Sequence, residues 1–330
     1  MNESKSYAGQ EHLWKYAVYT AEGGVIAFFN FLVVATILRY KALRTKKEYV
    51  IIFGLGSADL LNQLAYVAAG VYRTSLVYSN QHDQLVNSWF CMLTAHNLLW
   101  LVTDTLAALM LLVVSLDRLL CVSLPLRYYF WTKAYTWRLV GAAYGYCLLS
   151  GLVGFGFAYS QPMTAQFKKV CFTSYAVGKA FYIYYYAIVR QVFALASIVV
   201  YAAAMVVMTS KGGRVSDSVK NDRELRKQMV RQNKFTKSLA ISCFFTFVLY
   251  VCPMFLTNVG HVMFFGEVNL LLYAFIASNL NPLLNVVIYV VRHREMRFAI
   301  LNLLFCRPLN SDLNRWFVSG SHAQPVSGKH

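Results

Sequence analysis

Apolar residues in this chain fall in long, nearly unbroken runs, not in the three-to-four spacing of a half-buried surface helix. Seven runs stand out, at 16–39, 49–72, 93–121, 139–160, 181–208, 238–260 and 268–291. Each reaches the roughly 20 residues a helix needs to cross a bilayer. The fourth, sixth and seventh contain no Asp, Glu, Lys or Arg. Short polar loops join most of them, and no internal repeat is visible. The pattern predicts an all-α membrane protein, a seven-transmembrane helix bundle over 16–291, because closed helices satisfy the backbone groups that lipid cannot. Residues 1–15 are polar and lack the apolar core of a cleavable signal peptide. After the last run, "RHREMRFAILNLLFC" (292–306) interleaves Arg with Met296, Phe298, Ala299, Leu301, Leu303 and Leu304. It reads as a short amphipathic surface helix, followed by a polar tail over 307–330.

Composition points to the same solvent. The chain is 58% hydrophobic and 14% charged, where soluble proteins carry about 25% charged residues. Its net charge of +17 would suggest nucleic acid in a soluble protein. Here the charge lies between the apolar runs. With the N-terminus outside, the inner segments 39–47, 118–138, 211–237 and 292–329 hold five, four, nine and six Lys or Arg, 24 of 31. Positive residues stay on the cytoplasmic side, so this orientation is the expected one, with membrane lipid as a partner of the basic rim. It makes Asn2, in the sequon Asn2-Glu3-Ser4, a glycosylation candidate, and Cys306 a palmitoylation candidate or a free thiol. Of seven Cys only Cys91 and Cys171 face outside, where a disulfide between them would persist. No Cys/His cluster suggests a metal, and no paired carboxylates, H-E-x-x-H or G-x-S-x-G suggest an enzyme.

The few charges near or within the runs carry the candidate chemistry. Asp59 sits near the middle of the second run, where a charge is costly unless it faces the interior. Asp117 and Arg118 stand where the third run ends. Asp104 lies 14 residues before Arg118, about 21 Å of helix. Arg190, in the fifth run, is at a comparable depth. Buried opposite charges usually pair, so Asp104 and Arg190 are expected to form an ion pair. A lipid-edge Arg190 snorkelling outward is the alternative.

The ordered set of motifs resembles the rhodopsin-like (class A) G-protein-coupled receptors over nearly the whole chain. Asn30 in "FFNFLVV", Asp59 in "GLGSAD", "DRLLCVSLPLRY" at 117–128, Tyr201, Phe247 and Pro253 in "FVLYVCP", and Asn285 and Tyr289 in "NPLLNVVIY" stand where that family has its marker residues. The resemblance implies an extracellular ligand, a peptide or chemosensory small molecule, a heterotrimeric G-protein partner and a plasma-membrane location. It implies an activation switch of Asp117, Arg118, Pro125, Tyr201, Phe247, Pro253, Asn285 and Tyr289. It implies a polar network of Asn30, Asp59, Asn281 and Asn285, in which Asp59 is either a sodium-site acid or a protonated member of a water network. Ala107 stands where a third-span hydroxyl would help hold sodium, and no other cofactor is expected. The third and fifth spans line the ligand pocket in this family, which makes His96, Asn97, Trp100, Asp104, Arg190 and Gln191 its candidates. Departures are Leu119 for the Tyr of Asp-Arg-Tyr, Val251 for the sixth-span Trp, and Val286 for the seventh-span Pro, with Pro282 four residues earlier. The stretch "PLRYYFWTKAY" looks like the nematode serpentine chemoreceptors of the Srsx group. No acid opens span six, where Asn233, Lys234 and Lys237 stand, so Asp117 is expected to hold Arg118 alone. The main alternative is a multi-span transporter or channel, which would show inverted repeats or rows of intramembrane charge.

Overall fold

The computed structural model describes residues 3–218, 244–256 and 268–305. Its long helices are α1 (Glu3–Arg39), α2 (Lys47–Tyr78), α3 (Ala95–Ser123), α4 (Lys133–Ser160) and α5 (Ile188–Ser218). They are followed by α6 (Phe244–Leu256), α7 (Val268–Arg292) and α8 (Arg294–Leu304). Among the described residues, five helices are long and apolar enough to cross a membrane, and Phe244–Leu256 and Ile276–Val291 are shorter apolar helices. Side chains such as Phe31, Leu152 and Val199 point away from the bundle, 54%, 67% and 68% exposed. Such a belt would be an aggregation surface in water and is ordinary in lipid.

Helix ends depart from the apolar runs because hydropathy marks only the lipid-facing length, whereas backbone hydrogen bonds continue into polar residues. Helix α1 starts at Glu3 instead of 16, so the segment expected as a separate 1–15 terminus is largely helical. Helix α2 runs to Tyr78, six residues past the expected end at 72, and so takes in Arg73. The third run holds as α3, which begins at Ala95, two residues inside the expected start at 93, while Cys91 lies before it in the short helix Ser88–Met92. Asn87 caps the short helix, its Oδ1 accepting from the Phe90 amide at 2.8 Å.

Two π-helical stretches interrupt the regular helices. The turn Lys179–Phe181 and a π-helical stretch, Tyr182–Ala187, lead into α5. A second π-stretch, Phe247–Val251, lies just before Pro253 in α6. Such turns re-aim the side chains that follow, and a proline lacking its N–H favours one beside it. Close helix approach depends on small residues. A Cβ on Gly70 of α2 would come within 2.9 Å of the Tyr16 carbonyl oxygen on α1. One on Gly54 would meet Met110 of α3 at 2.8 Å and Val140 of α4 at 2.9 Å. The main core, with Tyr49, Leu106, Met110, Val113, Tyr201 and Tyr289, fills the half of the bundle toward Arg118. At the other end two short strands far apart in the chain, β1 (Leu85–Val86) and β2 (Phe167–Lys168), pair antiparallel, Leu85 with Lys168 and Val86 with Phe167.

Candidate functional site

Three clusters line the bundle from end to end. At the end of α3, Asp117 and Arg118 are fully buried and form an ion pair. The chain then breaks at Leu124, and Pro125 opens the turn Pro125–Phe130, its fixed φ suited to the first helical position. That turn brings Tyr128 back under the pair. Its hydroxyl donates to Asp117 Oδ1 at 3.1 Å and accepts from Arg118 Nη2 at 3.3 Å. Burial pushes the phenol well above its ordinary range, so it remains a donor. Lys47, at the start of α2, reaches across: Nζ donates to the Tyr128 carbonyl at 2.7 Å and lies 4.6 Å from its ring centroid. The expectation that Asp117 holds Arg118 alone is therefore corrected: Tyr128 bonds both, and Lys47 fixes Tyr128. Tyr128 belongs to the quoted "PLRY" stretch, yet nothing in sequence spacing shows that the turn folds back under Asp117.

The remaining switch candidates are spread over the helices. Tyr201 and Tyr289 sit in the main core, 3% exposed each. Pro253 is buried beside the π-stretch. Phe247 is 43% exposed and points away from the bundle centre.

At mid-depth a small cavity is lined by Asp59 and Asn62 of α2, Asp104 and Ala107 of α3, Tyr250 of α6, and Asn281 and Asn285 of α7, among others. It offers about 20 Å³ to the centre of a water molecule. One water requires about 10–15 Å³ by that measure, so the space suits a water or one small ion. An organic ligand site is usually about 300–1,000 Å³. Asp59, Asn281 and Asn285 share this cavity. Asn30 does not line it; its Nδ2 donates to Ile26 O at 3.1 Å within α1. Thr246 of α6 donates to Asn281 at 2.9 Å, tying α6 to α7 beside the cavity. Asp104, on the cavity wall, is ion-paired with Arg190 of α5, which is 3% exposed. Arg190 therefore faces the bundle, not the lipid edge. Gln191 Nε2 donates to Val251 O at 3.4 Å, next to the π-stretch of α6. The Tyr250 hydroxyl, in a residue 8% exposed, has no hydrogen-bond partner among the described residues.

At the far end, Cys91 and Cys171 form a disulfide. Cys171 adopts φ 48°, a left-handed conformation uncommon outside glycine. Its carbonyl accepts from His96 Nε2 at 3.1 Å, Asn97 Nδ2 at 3.2 Å and Arg73 Nη2 at 3.4 Å. A carbonyl only accepts, so the His96 proton is on Nε2. His96 and Asn97, 1% and 0% exposed, anchor the loop and do not line the cavity. Trp100 meets Tyr66 edge-on at 5.0 Å and receives the Tyr186 hydroxyl on its carbonyl. Arg73 escaped the sequence pattern because the second run seemed to end one residue before it.

Among the described residues no group of three or more His, Cys, Asp or Glu is arranged to hold a metal. Asn2 and Cys306 lie outside the described residues. No curated protein matches the chain. The family model "7 transmembrane receptor (rhodopsin family)" matches residues 29–289, which span every cluster above. The chain belongs to the rhodopsin family of seven-transmembrane receptors.

Proposed function

We propose that this chain is a G-protein-coupled receptor of the plasma membrane, with seven spans, an extracellular N-terminus and α8 lying on the inner leaflet. A ligand entering at the disulfide end shifts a two-state bundle toward the form that engages a heterotrimeric G protein at the Arg118 end. The observation that carries this reading is the buried Asp117–Arg118–Tyr128 cluster. A charged pair sealed among helices at one end of a bundle is an expensive feature unless its release does something. Basic segments around it supply a rim for lipid and G protein. The exposed Phe298, Leu301 and Leu304 of α8, opposite buried Met296 and Ile300, fit a helix laid in the interface.

The mid-bundle cavity is the relay in this reading. It joins the Asp104–Arg190 pair to Asp59 and Asn285, and its small size makes it a water or ion site, with the ligand bound nearer the mouth. Ala107 offers no oxygen, so a sodium ion at Asp59 would lack a contact from α3. The ligand class fits a small chemosensory molecule or a peptide, and the subgroup reading is a nematode chemoreceptor of the Srsx type. Guanine-nucleotide exchange on a reconstituted heterotrimeric G protein tests the proposal. Exchange above the level of receptor-free vesicles supports it; none, with any ligand pool or with a charge-neutral Asp117→Asn variant, refutes it.

A further inference from the structure

Arg73 is a buried cation with no counter-ion among the described residues. It lies in α2 five residues before the helix end at Tyr78 and is 3% exposed. Buried charges are normally paired, since an unpaired one costs several kcal/mol. Among the residues whose side chains are described, every carboxylate is engaged or positioned elsewhere. Asp83 takes Lys168, Glu295 takes Lys46, Asp104 takes Arg190 and Asp117 takes Arg118. Glu22 accepts from Asn279, Asp59 lines the deep cavity, and Glu48 is in the first turn of α2, at the opposite end from Arg73.

The guanidinium is held, though not neutralised. Nε donates to Val170 O at 3.1 Å and Nη2 to Cys171 O at 3.4 Å. Its plane lies near the rings of Phe172 at 4.7 Å, Trp100 at 5.7 Å and Tyr16 at 6.0 Å. These contacts fix one edge of the guanidinium and cover its faces. Nη1 has no acceptor among the described residues, and it is not one of their sealed, partnerless atoms. Its hydrogens are the side of the guanidinium left for an incoming acceptor. Phe172, 43% exposed, lies between the guanidinium and solvent, its ring centroid 4.7 Å away. Lys169, just before Val170, adds a second positive charge, which among the described residues meets only the neutral amide oxygens of Gln81 and Gln84, at 2.6 and 3.0 Å.

We propose that Arg73 anchors an anion subsite at the disulfide-end mouth, and that the ligand presents a carboxylate on an aromatic or apolar body. The carboxylate takes the Nη1 side of the guanidinium, where a charge-assisted bond forms in a site already desolvated. The body replaces or stacks on Phe172, against Trp100. The Lys169 charge favours approach of an anion from solvent. This inference deepens the receptor reading, which places that mouth outside the cell.

The test uses the purified full-length chain without G protein, so that loss of coupling and loss of binding are separate results. Its melting temperature is followed against benzoate, acetate and benzylamine at matched ionic strength. Benzoate is expected to raise it saturably by about 3 °C or more, acetate less, and benzylamine not at all. Arg73→Gln is expected to abolish the rise. That variant also loses two bonds to the loop, so Phe172→Ala is the second probe, leaving the guanidinium and its carbonyls intact. It is expected to weaken benzoate about fivefold or more while leaving acetate unchanged. Equal stabilisation by benzylamine, or a benzoate effect that survives Arg73→Gln, overturns the proposal. So does a benzoate effect seen only in Glu11→Gln or Glu267→Gln, since a carboxylate of the chain itself would then be the occupant.

Discussion

Replacing Tyr128 by Phe removes one oxygen from a sealed cluster and leaves the ring, with its Lys47 contact, in place. The hydroxyl makes one bond to Asp117 at 3.1 Å and takes one from Arg118 at 3.3 Å. Hydrogen bonds to charged groups contribute about 1.5–3 kcal/mol each when well formed. Both are long, and Asp117 and Arg118 keep each other after the change. The lower end, about 1.5 kcal/mol for the hydroxyl as a whole, is therefore the appropriate magnitude. If these bonds exist only in the resting bundle, the resting-to-active ratio falls about tenfold, since 1.4 kcal/mol is a factor of ten. Ligand-free nucleotide exchange, normalised to receptor at the surface, should rise by about that factor. Asp117→Asn should raise it further, because it weakens the pairing of a buried guanidinium. Exchange by Tyr128→Phe within twofold of the native chain, with Asp117→Asn clearly elevated, would refute the role given to Tyr128 while sparing that of Asp117.

Lys47→Met should raise basal exchange less than Tyr128→Phe, because it frees the turn without removing the hydroxyl. Lys47→Arg should restore the native level, and the Met change should add nothing in the Tyr128→Phe background; additive effects in that double variant would show independent action. Single reversals Asp104→Arg and Arg190→Asp should each abolish surface expression by burying like charges together. The double reversal should recover it in part, and its failure to do so in cell-surface labelling would argue against pairing as the source of the defect. Exchanging sodium for choline should leave the melting temperature of the native chain unchanged. Ala107→Ser should introduce a sodium-dependent rise, and a rise already present in the native chain would show that Asp59 and its neighbours suffice. Asn97→Ala should destabilise by about 1–3 kcal/mol, since it removes two donors to Cys91 and Cys171 carbonyls at 2.9 and 3.2 Å and leaves buried acceptors short. Denaturation of the purified protein measures it, and an unchanged midpoint would mean water replaces the amide.

What the sequence conveyed and what it hid divide along a physical line. Features fixed by one-dimensional spacing were legible: the apolar runs, the Cys91 and Cys171 placement, and the depth at which Asp104 and Arg190 lie. Depth along two helices predicts which charges can meet, because a helix advances about 1.5 Å per residue and a misplaced partner would be left in lipid. Features fixed by a change of chain direction were not. Tyr128 returns beneath Asp117 only because Leu124 leaves the helix and Pro125 starts another, and Lys47 arrives from a different helix. His96 looked like a pocket residue because it is polar and near the mouth. The left-handed turn at Cys171, which aims a carbonyl at it, has no signature in a Cys codable by spacing. Arg73 is the sharpest case. The second apolar run ends at 72 and leaves Arg73 just outside it, where an arginine in solvent would require no partner. The helix carries it to Tyr78 instead, and the same residue becomes a buried cation wrapped in aromatic rings. A charge at the edge of an apolar run is thus ambiguous by a single helical turn, and that turn separates a topology marker from a binding group. Glu22 is a charge inside the first run; it accepts from Asn279 of α7, and its other oxygen has no partner among the described residues. Its bond to Asn279 gives α7 a contact with an acid of α1, while Asp59 of α2 shares the mid-bundle cavity with Asn279 and Asn285.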